Sequence, residues 1–217
     1  MTIGLIWDMD GVLIDSGRAH YLAWKALFDE LKQPLTAEQV AQTLGMANLP
    51  ILRMWLGEDR PTADLLALAD RKEALFRSLV AEQVQILPGV LDWLARARER
   101  GYRQAVASSA PMANITAIIH GLGLGDAFDI LISGARLPAS KPDPAVFVQA
   151  GQGLGCAPSS CVVLEDSAVG VEAAVRAGMP CVAVTNTLPA AQLQAASIVV
   201  DSLEELPLDI FQRLTGA

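Results

Sequence analysis

Six short apolar runs punctuate the chain, at residues 3–7, 105–107, 130–132, 161–164, 181–184 and 198–200. Each is bounded by polar or turn residues and none alternates, as expected of strands buried on both faces of a parallel sheet. Between the later runs, residues 90–100, 112–122, 144–151 and 169–177 read as helices. Strand and helix therefore alternate, which predicts βαβ units and an α/β fold with a doubly wound, Rossmann-like parallel sheet. The punctuation agrees: Asp143 can cap a helix whose first turn holds Pro144, and Gly178 can close the helix before it.

Residues 16–83 break this rhythm and read as helices without strands. Tyr21, Trp24, Phe28 and Leu31 recur at helical spacing, as do Leu65, Leu68, Leu75, Phe76 and Leu79. Thr36 and Gln39 have the spacing of a capping box. An all-helical insert directly after the first strand predicts a cap domain at 16–83, with 1–15 and 84–217 forming the α/β core. Residues 15–17 and 82–89 are the expected linkers.

Composition narrows the class. With 52% hydrophobic and 18% charged residues over 217 positions, the chain is not disordered. No apolar run approaches the roughly 18–20 residues of a membrane span, and no basic segment precedes the first run as in a secretory signal. Sixteen Lys and Arg against 24 Asp and Glu give −8, which disfavours nucleic acid or an anionic membrane as partner. The three cysteines, Cys156, Cys161 and Cys181, have neither disulfide-scaffold nor zinc spacing. A reduced, cytoplasmic globular protein is expected. The glycine strings at 121–125 and 151–155 close helices rather than open them, so they read as helix ends, not as a dinucleotide fingerprint. The arginines of 96–103 complement a helix dipole.

In an open α/β sheet, ligands bind beyond the carboxyl ends of the strands. The first run ends in Asp8-Met9-Asp10-Gly11, the run at 105–107 in Ser108-Ser109, and the run at 161–164 in Glu165-Asp166-Ser167, while Lys141 precedes Pro142. Four acids converging on one rim repel one another, and a divalent cation is the economical remedy. Carboxylates with backbone carbonyls suit Mg²⁺, which commonly takes a phosphate oxygen as a further ligand. Asp8 can act as a nucleophile towards phosphorus, and Asp10 can protonate a leaving group and then deprotonate water. Gly11 lets the loop turn with its amides towards an anion. Ser108, with Ser109 beside it, can bond phosphoryl oxygens, and Lys141 can neutralise developing charge.

The series D-x-D-G-V at 8–12, Ser108 after a strand, Lys141-Pro142 and E-D-S-x-x-G-x-x-A-A at 165–174 resembles the motif set of the haloacid dehalogenase superfamily over essentially the whole chain. The helical insert is similar to that of its α-helical-cap subfamily, which includes β-phosphoglucomutases and many small-metabolite phosphatases. The resemblance implies Asp8 as nucleophile and Mg²⁺ ligand, and Asp10 as acid/base that lends its carbonyl to the metal. It implies Asp166 as a metal ligand, Glu165 as support for the metal or its waters, and Ser108 and Lys141 as holders of the phosphoryl group. It also implies a monomer acting on a small phosphorylated substrate.

Within that family, Asp10 argues against dehalogenation, which needs no leaving-group acid. Residues 45–48 lack the Schiff-base lysine of phosphonoacetaldehyde hydrolases. The string around Asp15, Ser16, His20 and Trp24 is similar to the cap entrance of β-phosphoglucomutases. His20 is either a packing histidine or a substrate-side residue. Lys72, on the apolar stripe of its helix, either snorkels to solvent or faces substrate. Against a mutase, residues 44–48 lack the arginine that would hold a second phosphate, and Ala110-Pro111-Met112 replaces a Lys-Asn pair. A Mg²⁺-dependent phosphatase is favoured over a mutase. A non-catalytic regulator on the same fold would have lost a nucleophile or ligand, and all are present.

Overall fold

The computed structural model describes residues 2–43 and 46–217, so Leu44 and Gly45 of the loop compared above lie outside the described residues. In chain order the elements begin with β1 (Gly4–Trp7), β2 (Ile14–Asp15), α1 (Gly17–Glu30), α2 (Ala37–Ala41), α3 (Asn48–Leu56), α4 (Thr62–Gln83) and β3 (Gln85–Ile86). They continue through α5 (Val90–Glu99), β4 (Arg103–Ser108), α6 (Met112–Gly121), β5 (Ile130–Ser133), α7 (Ala145–Leu154) and β6 (Cys161–Glu165). The chain closes with α8 (Ala168–Arg176), β7 (Cys181–Val184), β8 (Ile198–Val200) and α9 (Ile210–Thr215). Residues up to Asp15 form one compact unit with Gln85–Ala217, and Ser16–Val84 form another.

All six apolar runs enter a single parallel sheet of order β5-β4-β1-β6-β7-β8. β1 is central because its residues are apolar on both faces and must be covered on both. Ile6 packs with Val163, Phe147 and Ala150 of α7, and Val171 and Ala174 of α8. Trp7 points to the opposite face, as the two-residue period requires. Its indole N–H donates to Gln104 Oε1 at 3.2 Å, and Gln104 Nε2 in turn donates to the Leu94 carbonyl of α5 at 3.1 Å. This buried amide is satisfied at both ends, so it fixes the packing of α5 instead of penalising it.

The helix ends follow the sequence chemistry. Asp143 Oδ1 accepts the Ala145 N–H at 2.9 Å, which starts α7 just after Pro144. Gly155, at the left-handed φ of 66°, closes that helix. Arg96 and Arg98 lie in the last turn of α5, and Arg103 pairs with Asp129 at 2.8 Å.

Ser16–Val84 holds only helices, α1 to α4, among the described residues. Trp24, Leu27 and Phe28 of α1, Ile51 and Leu52 of α3, and Leu65 of α4 are buried together. Trp55 sits edge-on to both Trp24 and Phe28, with centroids 5.2 and 5.4 Å away. Thr36 and Gln39 make the reciprocal capping box, at 3.2 and 2.9 Å.

The boundaries between the two units fall inside both expected linkers, after Asp15 and after Val84, and parts of these segments are regular structure. Asp15 belongs to β2, Gly17 opens α1, Glu82 lies in α4 and Gln85–Ile86 is β3. β2 and β3 pair antiparallel, Ile14 with Ile86 and Asp15 with Gln85, because the two crossings satisfy each other's backbone groups.

Candidate active site

The parallel register brings the carboxyl ends of the central strands level, since Trp7 pairs with both Val106 and Leu164. The Asp8 N–H donates to the Leu164 carbonyl at 3.0 Å, so the β1–β6 ladder extends one residue beyond β1 and holds Asp8 rigidly. Glu165 ends β6, and Asp166 follows it. Asp8, Glu165 and Asp166 are all buried, and each offers a carboxylate oxygen within 4.8 Å of the others. Lys141 Nζ lies 2.5 Å from Asp8 Oδ1 and 2.5 Å from Glu165 Oε1, and 4.7 Å from the centre of the Phe147 ring.

Glu165 is the best-satisfied acid of the group. Its Oε2 accepts from the amides of Asp166 and Ser167, both at 2.8 Å, and from Ser167 Oγ at 2.9 Å. Ser167 Oγ also accepts the Gly170 N–H at 3.1 Å and so caps α8. Burial alone would raise the Glu165 carboxyl, but Lys141 and the Ser167 donors outweigh it and hold it below its ordinary value. Asp8 goes the other way. Burial, reinforced by the charges of Glu165 and Asp166, raises it well above its ordinary value in spite of Lys141. Burial and the charge of Glu165 likewise push Asp166 up to about 7. Lys141 is raised despite its burial, because Asp8 and Glu165 both favour its charged form. The cluster is therefore short of positive charge.

Asp10 lies on the turn after β1, half-buried, bridged by its backbone to Ile14 and near enough for its charge to raise Asp166. Gly11 has φ +79°, and a Cβ there would overlap Asp166 Oδ2, so the turn after β1 and Asp166 pack too closely for any side chain. Ser108 is buried at the end of β4, where its Oγ accepts the Ala110 N–H at 3.1 Å. Ser109 is exposed.

The structure thus gathers Asp8, Lys141, Glu165 and Asp166 at one strand edge. Three further side chains there have no counterpart in the sequence reading. Asn186 Nδ2 donates to the Gly11 carbonyl at 2.9 Å, Thr187 hydrogen-bonds Asp166 and lowers it, and Ser133 Oγ donates to the Ala110 carbonyl at 2.6 Å. Asn186 and Thr187 follow β7 and Ser133 ends β5, with nothing in the sequence to distinguish them from ordinary turn residues.

In the helical unit, His20, Trp24 and Lys72 do come together. Lys72 Nζ lies 2.8 Å from His20 Nδ1 and 2.9 Å from Glu73 Oε1, with the Trp24 and Phe76 ring centres at 5.2 and 5.3 Å. His20 stacks on Phe76 at 4.2 Å. Asn48 Nδ2 donates to Glu73 Oε1 at 2.5 Å. Lys72 is only 1% exposed, so it does not snorkel. The carboxylate of Glu73, a residue the apolar-stripe pattern passes over, compensates its charge within the interior.

A parallel sheet with a carboxylate–lysine cluster at its carboxyl edge and a helical insert after the first strand defines a class of hydrolases. Residues 4–178 match the family model of the haloacid dehalogenase-like hydrolases, and the chain belongs to this family of enzymes. Hexitol phosphatase B of Escherichia coli O157:H7 is 31% identical, with 94% of each chain covered. The β-phosphoglucomutase of Bacillus subtilis (strain 168) is 28% identical over 95% of this chain and 92% of its own. Among solved structures, CbbY from Rhodobacter sphaeroides, in complex with phosphate, superposes with a TM-score of 0.84 at 26% identity, over 95% of this chain and 96% of its own. Among the described residues, no helix is long and apolar enough to cross a membrane.

Proposed function

We propose that this chain is a Mg²⁺-dependent phosphomonoesterase that acts on a small phosphorylated metabolite, a sugar phosphate or similar, through an aspartyl-phosphate. The observation that carries the reading is the strand-end cluster, in which Asp8 shares Lys141 with Glu165 while Asp8, Glu165 and Asp166 stand within 4.8 Å of one another. The names of the relatives, a hexitol phosphatase and a phosphoglucomutase, support a phosphorylated sugar as substrate.

The donor set fits Mg²⁺: it is all oxygen, buried, and under-compensated by one ammonium, as the raised Asp8 and Asp166 carboxyls attest. Asp8, Asp166 and the backbone carbonyl of Asp10 would hold the ion, with Glu165 supporting it. When bound, it supplies charge neutralisation for the phosphoryl oxygens. Ser108, Ser109 and Lys141 grip those oxygens. Asp8 attacks phosphorus in line, the bond to the leaving alkoxide breaks, and Asp10 gives that alkoxide its proton. Asp10 then takes a proton from water, which attacks the acyl phosphate, and the bond to Asp8 breaks to release inorganic phosphate.

A β-phosphoglucomutase-type phosphosugar mutase is the second reading. The Bacillus subtilis relative favours it, as does the similarity of the string around Asp15, Ser16, His20 and Trp24 to the cap entrance of β-phosphoglucomutases. One assay separates the two. Purified protein with MgCl₂ is given hexitol and hexose phosphates, phosphoglycolate and nucleotides, and released phosphate is measured. β-Glucose 1-phosphate with a trace of its 1,6-bisphosphate runs in parallel. Phosphate release that EDTA abolishes is the expected result; isomerised sugar without released phosphate would establish the mutase.

A further inference from the structure

The two segments beyond β4 and β5 are joined through one hydroxyl. Ser108 and Ser133 are register partners on these parallel strands, and the Gly134 N–H donates to the Ser108 carbonyl at 2.7 Å. Beyond that point the backbone ladder stops and Ser133 takes over. Its Oγ donates to the Ala110 carbonyl at 2.6 Å and accepts the Ala135 N–H at 3.3 Å. Ala110 is thus held from both sides, because its own N–H donates to Ser108 Oγ at 3.1 Å. Pro111 restricts Ala110 further, since a residue before proline is confined to extended backbone.

The consequence falls on Ser108. As the acceptor of the Ala110 amide, its oxygen has a fixed direction from which to present its own hydrogen to an anion. That direction is only as firm as the placement of Ala110. The same hydroxyl ties down Ala135, at the start of the segment that leads to Lys141.

We propose that Ser133 is a positioning residue for phosphoryl binding: it sets Ala110, and through it the hydroxyl of Ser108, in the geometry that receives a phosphoryl oxygen. The inference rests on the phosphomonoesterase reading, and in particular on Ser108 as a phosphate-binding group. A hydroxyl oriented in this way serves bound substrate and transition state alike, so its loss weakens binding without slowing the bound complex.

Ser133→Val and Ser133→Thr are the decisive pair, because they share size and branching and differ in the hydroxyl. With p-nitrophenyl phosphate as substrate and inorganic phosphate as competing product, Ser133→Val raises KM and the phosphate inhibition constant roughly three- to tenfold, with kcat nearly unchanged. Ser133→Thr stays close to the parent. In a Ser108→Ala background, Ser133→Val adds no further rise in KM, since the two residues act in series. Thermal melts accompany each variant, and Ser133→Ala replaces Ser133→Val if the latter does not fold. Equal behaviour of the valine and threonine variants overturns the proposal, as does a fall in kcat alone. Full additivity with Ser108→Ala, where that variant itself raises KM, overturns it while leaving the phosphomonoesterase reading intact. An unchanged KM in Ser108→Ala removes the role of Ser108, and the inference with it.

Discussion

Asp8 carries a buried carboxylate in surroundings that disfavour its charge, with Glu165 and Asp166 beside it and only Lys141 against them. A neutral isostere relieves that strain while removing the nucleophile. Asp8→Asn should therefore lose turnover by roughly 10⁴-fold or more, yet melt at or above the parent temperature without metal. Retained turnover, read by phosphate release, would refute the nucleophile assignment. Asp10→Asn should cost roughly 10²–10⁴-fold, and turnover equal to the parent would remove its acid/base role. At this scale the acids were legible because each stands where an apolar run stops, at Asp8, Glu165 and Asp166. Asn186, Thr187 and Ser133 were not, because what distinguishes them is a partner far along the chain: Gly11 for Asn186, Asp166 for Thr187, Ala110 for Ser133.

Among the elements, α8 begins at a tight place in the fold. A Cβ on Gly170 would overlap the carboxylate of Glu165, which is already committed to Lys141 and to three donors from Asp166 and Ser167. Gly170→Ala should cost about 1–3 kcal/mol in a denaturation experiment, together with a loss of activity; a silent substitution would show that the helix start yields freely. α4 holds the opposite case, a charge sealed in an apolar interior. Lys72→Ala leaves Glu73 without its ammonium and should destabilise by about 3–5 kcal/mol, measured by chemical denaturation. A cost below about 1 kcal/mol would mean that the other partners of Glu73, Asn48 among them, compensate it. The stripe Leu65–Leu68–Leu75–Phe76 revealed the helix, but periodicity places a lysine on a face without saying whether its end reaches water. The ribbon of β2 and β3 escaped for a different reason: two-residue strands leave no pattern.

For the molecule as a whole, the site puts its mark on stability. An Asp carboxyl titrates near 3.9 in an unfolded chain, whereas Asp166 is pushed up to about 7 in the fold and Asp8 is raised as well. Between those values the folded chain holds protons that the unfolded chain has released. Acidification from pH 8 towards pH 5.5 should therefore raise the metal-free melting temperature by several degrees. Glu165 acts in the opposite sense, but only lower, as pH falls from the unfolded glutamate range through its depressed value. MgCl₂ should raise the melting temperature at pH 8 and do so less at pH 5.5, where its ligands must first lose protons. A melting temperature that falls between pH 8 and pH 5.5 without metal would contradict this account. The sheet and the helical insert were legible at this scale because six apolar runs, four buried and the edge strands β5 and β8 half-buried, then a stretch without any, leave few other architectures.

The ladder between Ile14–Asp15 and Gln85–Ile86 also bears on how such a chain diversifies. Paired strands lie about 4.8 Å apart, so the polypeptide leaves the sheet-bearing unit and re-enters it through neighbouring threads. The backbone groups of the two crossings are satisfied within the ladder itself. Residues 16–84 are in that sense a cassette. A tight hairpin turn, or a helical insert of another length, can join the same two threads without altering the order of the strands.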